Sequence, residues 1–585
     1  MSINRLLVCA LLPVTLILAG PVHLYLSNRA EFSAPPGALL VHLLVLCAAA
    51  ACAAYFGAGW LSRRTGAREL GIALLFAVSA LVWLQGNLLV FDYGPLDGRG
   101  LRWDDKQLES AAELAIWCAV LAFAAWRPAA VSRIAPAASG ALLLAQVAGV
   151  VVTGAGSEPA RSFKPAETMR EEIHTLAPER NVIMILVDTF QTDVFESHLK
   201  REPSLASRFD GFSYFRNAIG AYPTTAASVP LMLTGRYYEN EQPLQAFAYK
   251  RLTGESLPKL FYELGYQVDL MPLTRYVMSC NEQVASNCIE LRRAVQSHDL
   301  RLGFDEAARL LDVALFRHLP HALKPLVYDD GNWLASDLLK HFGVDAIAEG
   351  HWLDTQFIDL FRARARVVDG PGTFKLYHLF GLHPPYRLDE QCEERPIDQT
   401  RDVDVQRRIV MAQAHCVLDY VLDFLDHLKA LNVYDSSLIV VAGDHGTSGA
   451  LHIGVDGAVM NAASGAGSAV DLQPAATPGS VPDGVVASSL PLLLIKPPGA
   501  RGDLRASHAP VSLCDVPRTV ATAMGLQAGF PCEDAFAVTE GVARERRYLY
   551  YRWDDDFWQK AYLPNMREFV VNGPVWQPAS WSASD

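Results

Sequence analysis

Three apolar runs in this chain each end on a potential metal ligand. "NVIMILVDTF" at 181–190 carries Asp188, "YHLFGLH" at 377–383 carries His378 and His383, and "VVAGDHGTSGALHIG" at 440–454 carries Asp444, His445 and His452. Carboxylate oxygens and imidazole nitrogens are ordinary zinc ligands, and Mn²⁺ is a second candidate occupant. A fourth stretch, "AYPTTAASVPLMLTG" at 221–235, sets Thr224 and Thr225 before an apolar segment with helical character. A hydroxyl is a poor nucleophile until its pKa is lowered, and a helix N-terminus offers N–H groups to an anion. The combination is what metal-assisted covalent catalysis requires. Plainer readings stand beside it. Asp188 or either threonine can cap a helix, the Asp444-His445-Gly446 turn can be a structural loop, and His383 and His452 can be loop histidines with local partners.

Residues so far apart in sequence need a sheet to bring them together. "NVIMILV", "GYQVDLMPL", "FKLYHLF", "SSLIVVAG" and "LPLLLIKP" are short, nearly continuous apolar runs, with helical stretches such as 404–430 between some of them. Continuous apolarity marks strands buried on both faces, and alternation with helices marks an α/β fold with a mostly parallel central sheet. Ligands bind at the carboxyl ends of such strands. Asp188, His378, His383, Asp444 and His445 are therefore expected on one sheet edge. Residues 461–489 are rich in Ala, Gly, Ser and Pro and read as a flexible surface insertion.

The first 155 residues are different. Apolar segments at about 4–27, 37–61, 70–93, 110–127 and 134–154 mostly reach the roughly 20 residues that cross a bilayer; the fourth is short and carries Glu113. Five in succession, with no soluble domain between them, are read as membrane spans rather than a signal peptide. Arg5, Arg63, Arg64, Arg68, Arg127 and Arg133 all fall at alternate loops, which sets the N-terminus in the cytoplasm and everything after 155 outside. The expected division is a transmembrane domain at 1–155, a polar linker at 156–180 and a catalytic domain at 181–585. Six cysteines follow residue 155, and an even number in an exported domain suits disulfides. Pairing of sequence neighbours gives Cys280–Cys288, Cys392–Cys416 and Cys514–Cys532. A formal net charge of −13 speaks against a nucleic-acid partner.

The ordered set "NVIMILVDTF", "TTAASVPLMLTG", "HLFGLHPPY", "GDHG" plus "LH", and "HAPVSLCDVPRTVATAMGL" resembles the alkaline phosphatase/sulfatase superfamily over about 180–530. With five spans in front, it resembles the lipid A phosphoethanolamine transferases and, more loosely, the lipoteichoic acid synthases. The resemblance implies Thr225, not Thr224, as nucleophile and metal ligand, with Asp188, Asp444, His445 and His452 as further ligands. It implies that His378 and His383 face the substrate phosphate or a second metal. Two departures stand out: those transferases usually carry Glu at the position of Asp188, and the cysteines flanking their nucleophile segment are absent here. The modified-cysteine pattern of true sulfatases is also missing around Thr225.

The expected protein is then an inner-membrane, metal-dependent transferase with an extracytoplasmic catalytic domain. It would move a phosphoethanolamine or phosphoglycerol group from a phospholipid donor to a glycan or glycolipid acceptor through a phospho-threonine. A hydrolase, phosphodiesterase or sulfatase, and a non-catalytic envelope binding protein are the alternatives.

Overall fold

The computed structural model describes residues 3–583 except 30–31, 33, 66, 94–95, 97–100, 102, 157–165, 274–277, 279–281, 296–298, 330–331, 342–349, 396–402, 448–480, 482 and 553–560. Its contacts divide the chain into two compact units: Met1–Arg161 with Gln296–Ile347, and Ser162–Val295 with Ala348–Asp585.

The first unit has five helices long and apolar enough to cross a membrane: Ile3–Ser27, Pro36–Trp60, Arg68–Asn87, Trp103–Trp126 and Pro128–Ala155. Val45, Phe56, Val147 and Val152 remain exposed on them, as a lipid surrounding allows. The stretch 296–347, expected in the catalytic domain, groups with these helices instead. Its amphipathic helix Asp299–His318 explains why, because it docks through specific polar contacts and close packing. Glu306 accepts from the Ala34 N–H at 3.0 Å, and Arg317 donates to the Gly86 carbonyl at 2.8 Å. Glu113, the acid that made the fourth span marginal, is buried and accepts from the His321 N–H at 2.7 Å. Its carboxylate holds a neighbouring segment rather than breaking the span.

The second unit is built on an eight-stranded sheet. Its strands are β1 (Asn181–Val187), β2 (Ser213–Phe215), β3 (Gln267–Met271), β4 (Asn287–Cys288), β5 (Thr373–Leu379), β6 (Leu438–Ala442), β7 (Leu493–Lys496) and β8 (Arg505–Ser507). The spatial order is β8-β2-β7-β6-β1-β5-β3-β4. β1 is central, parallel to β5 in the register Asn181↔Thr373 and to β6 in the register Val182↔Leu438. Every residue of β1, β5, β6 and β7 is buried. The period of two still operates: Val182, Met184 and Leu186 enter one apolar core, while Ile183, Ile185 and Val187 enter the other, on the opposite face. The sheet is mostly parallel, but β7 runs antiparallel to both β6 and β2. Continuous apolarity reports burial of both faces and carries no strand direction.

Two expected disulfides are present, Cys392–Cys416 and Cys514–Cys532. Cys288 is also disulfide-bonded, while Cys280 lies outside the described residues. Most of the expected flexible insertion at 461–489 lies outside them too. Its end does not fit that expectation: Asp483–Ser488 is a helix, and Val485, Val486 and Ala487 pack against the C-terminal three-stranded sheet. Three consecutive apolar residues close a segment whose overall composition is polar.

Candidate active site

The carboxyl ends of β1, β5 and β6 lie side by side because the three strands are parallel neighbours. Asp188 directly follows β1, His378 is the penultimate residue of β5, and Asp444 and His445 follow β6 by two and three residues. The turns that deliver them are fastened to one another. Asp188 donates its N–H to the Leu379 carbonyl at 3.2 Å and accepts from the Leu382 N–H at 2.9 Å. Gly381 makes this crossing possible. At its φ of 55°, an added Cβ would lie 2.6 Å from a Val187 methyl and 3.0 Å from the Asp188 backbone. Thr189, β-branched and yet at φ 56°, is held in this disfavoured region while its N–H donates to Asp444 Oδ1 at 3.1 Å. Backbone strain at such a point persists only where the surroundings enforce it.

Thr225 is the first residue of the helix Thr225–Thr234, which starts beside these ends. Its hydroxyl donates to Asp188 Oδ2 at 3.4 Å and lies 3.3 Å from His445 Nε2. Thr224 occupies the capping position without making a side-chain cap, and its hydroxyl bonds Tyr551 instead. The two threonines thus differ in surroundings: one hydroxyl meets Asp188 and His445, the other Tyr551.

His445 Nε2 lies 3.7 Å from Asp188 and 3.6 Å from Asp444. Its Nδ1 bonds the Gly446 carbonyl at 2.8 Å, which fixes the proton there and leaves the Nε2 lone pair toward the carboxylates. Asp188, Asp444 and His445 each bring a ligand atom within 4.8 Å of the others. Asp188 Oδ1, Asp444 Oδ2 and both ring nitrogens of His378 are buried with no hydrogen-bond partner. Burial, and after it the charge of Asp444, push the Asp188 carboxyl well above the usual carboxylate range. Two buried carboxylates with unsatisfied oxygens and an imidazole lone pair form a donor set that fits a divalent cation. His378 Nε2 is 3.9 Å from Asp188, and burial lowers this imidazole to about 4, so it stands neutral.

His383 lies in the turn after β5 with Nδ1 against the Pro384 carbonyl at 2.6 Å. His452 lies outside the described residues. Two supporting side chains escaped the sequence reading. Asp354, in the first turn of the helix His351–Arg364, accepts the Phe380 and Gly381 N–H groups at 2.8 Å each and so pins the turn between His378 and His383. An acid in the first turn of a helix is its only sequence mark, and that is the commonest place for one. Gln191 accepts from the Thr447 N–H at 2.8 Å, tying the turn after His445 to the one after β1.

A family model described as Sulfatase matches residues 180–526. Among solved structures, a lipoteichoic acid synthase from Listeria monocytogenes is similar at 10% identity, covering 73% of this chain and 90% of its own, with a TM-score of 0.38. A phosphonate monoester hydrolase of Agrobacterium radiobacter is similar at 14% identity over 69% of this chain and 88% of its own, TM-score 0.38. A protein in the alkaline phosphatase superfamily from Vibrio parahaemolyticus is similar at 13% identity over 72% and 90%, TM-score 0.37. No protein of curated function matches the chain.

Proposed function

This chain belongs to the sulfatase family, within the alkaline phosphatase superfamily, and we propose that it is a membrane-anchored, metal-dependent phosphotransferase. Its donor is a phospholipid, its acceptor a cell-envelope glycan or glycolipid, and the group moved is phosphoethanolamine or phosphoglycerol. The observation that carries this reading is the Thr225 hydroxyl, set at a helix N-terminus within 3.4 Å of Asp188 and His445. A threonine there forms a phosphodiester that an acceptor hydroxyl can attack.

Asp188, Thr225, Asp444 and His445, with His452, would hold the metal, probed as Zn²⁺ or Mn²⁺. When bound, it supplies Lewis-acid stabilisation of phosphoryl charge and lowers the pKa of a nearby hydroxyl. In the first step the Thr225 oxygen attacks the donor phosphorus, the bond to the diacylglycerol oxygen breaks, and diacylglycerol leaves with a proton. In the second the acceptor hydroxyl attacks the same phosphorus, and Thr225 recovers its oxygen and a proton. His378 and His383, on either side of the pinned turn, deliver protons or hydrogen-bond the phosphoryl oxygens. The N–H groups opening the Thr225–Thr234 helix offer further donors to that anion. The five apolar helices tether the chain in the membrane that contains the lipid donor, a cytoplasmic membrane with the catalytic domain outside.

Mass spectrometry of the peptide containing Thr225, after incubation with total phospholipid, tests this directly. The expected result is an added phosphoethanolamine or phosphoglycerol mass that disappears on addition of acceptor and is absent in Thr225→Ala. Release of head group into water at the same rate with and without acceptor would make the chain a hydrolase instead.

A further inference from the structure

Helices that face lipid are expected to be apolar, yet Thr15, His23, Asn87 and Gln146 of the first, third and fifth membrane helices line one cavity. Arg317 and His318, from the helix Asp299–His318, close it, leaving about 100 Å³ open to water-sized groups. The wall includes a π-helical stretch, Val14–Ala19, a distortion concentrated at functional sites. His318 packs so tightly on Gly86 that a Cβ there would lie 2.0 Å from its ring. The closure is therefore built into the packing.

The polar groups inside are unbalanced. Arg317 uses Nε on the Gly86 carbonyl, and among the described residues no carboxylate pairs with its guanidinium. Gln146 donates to the Thr15 hydroxyl at 2.9 Å, while its own Oε1 is buried without a donor. His318 Nδ1 bonds the Ala314 carbonyl at 2.8 Å, which leaves its Nε2 an acceptor. Water can satisfy an amide oxygen, but a half-buried cation lacking a counter-charge calls for an anion. An anion and a cationic donor on one small ligand meet both needs. The cavity occupies the later halves of the first and fifth helices and the last turn of the third. That end is opposite the arginine-bearing loops, at head-group depth of the outer leaflet in the orientation proposed above.

We propose that this cavity binds an amine-bearing phospholipid, with the phosphodiester on Arg317 and the ammonium on Gln146 Oε1. The site stands whether or not the chain is a transferase, because a lipid held there can be structural or reactive.

The test uses full-length protein, stripped of lipid in detergent and titrated with phosphatidylethanolamine or phosphatidylglycerol, read by native mass spectrometry. Wild type should bind phosphatidylethanolamine about tenfold more tightly than phosphatidylglycerol, and Gln146→Leu should erase that preference. Arg317→Gln should weaken both by about tenfold or more. Because that change also breaks the bond to Gly86, Gly149→Leu serves as the second variant. Gly149 lines the cavity, and a Cβ there meets no atom within 4 Å, so a leucine adds bulk at the ligand without a backbone clash. It should abolish lipid adducts while thermal unfolding matches wild type. Undiminished adducts in a folded Gly149→Leu would overturn the site. Soluble glycerophosphoethanolamine binding as tightly as the lipid would overturn the membrane source.

Discussion

Thr224 and Thr225 differ by one position and by what their hydroxyls touch. Thr225→Ala removes the oxygen beside Asp188 and His445, and should abolish covalent adduct and turnover while leaving folding intact. Thr224→Ala removes a bond to Tyr551 and should keep most activity. Turnover assays that found the reverse would move the nucleophile by one residue. At Asp444, the argument is electrostatic. Two buried carboxylates repel until a cation sits between them, so Asp444→Asn should raise the melting temperature of metal-free protein and lower activity by about a hundredfold or more. Wild type should melt higher when Zn²⁺ or Mn²⁺ is added, and the variant should respond little. Differential scanning calorimetry with and without chelator reads both effects.

At the level of elements, the strand ends were legible and their fastenings were not. Apolar runs that stop at Asp188, His378 and Asp444 marked three parallel strands, because burial on both faces leaves a compositional trace. Direction of pairing leaves none, so the reversal at β7 was silent. Asp354 was silent too, since its partners are backbone N–H groups 26 and 27 residues away. Asp354→Ala would strand both donors in the interior and should cost about 2–5 kcal/mol in urea unfolding, together with loss of activity. His174 gives the sheet domain a pH signature. It is buried, stacks on Phe357, and has no hydrogen bond at either ring nitrogen. Burial, then the charges of Lys375, Arg364 and Arg366, lower it from 6.5 to about 3. The unfolded chain therefore binds a proton that the folded chain refuses, and stability falls as pH drops from 6.5 toward 3. The slope attributable to this residue approaches about 1.4 kcal/mol per pH unit. His174→Phe should remove that slope; an unchanged pH profile would rule the residue out.

At the scale of the molecule, composition separated an apolar N-terminal region from an α/β domain, and the five helices agree. It could not show that 296–347 groups with the first region, because an amphipathic helix looks the same wherever its apolar face is buried. Reporter fusions after residues 66 and 160 should report opposite sides of the membrane. The disulfide Cys392–Cys416 closes a loop of 24 residues, so replacing both cysteines with serine should cost about 3 kcal/mol of stability.

The central position of β1 has a consequence for synthesis. Its neighbours, β5 and β6, begin at Thr373 and Leu438, so the strand emerges long before either can flank it. At roughly 5–20 residues per second, the wait for Leu438 lasts on the order of 10–50 seconds. During that interval the nascent chain presents six apolar residues, Val182–Val187, with bare edges on both sides. Such an edge is a template for aggregation. A holdase that shields Asn181–Val187 until translation reaches its partners should therefore raise the folded fraction recovered on co-expression.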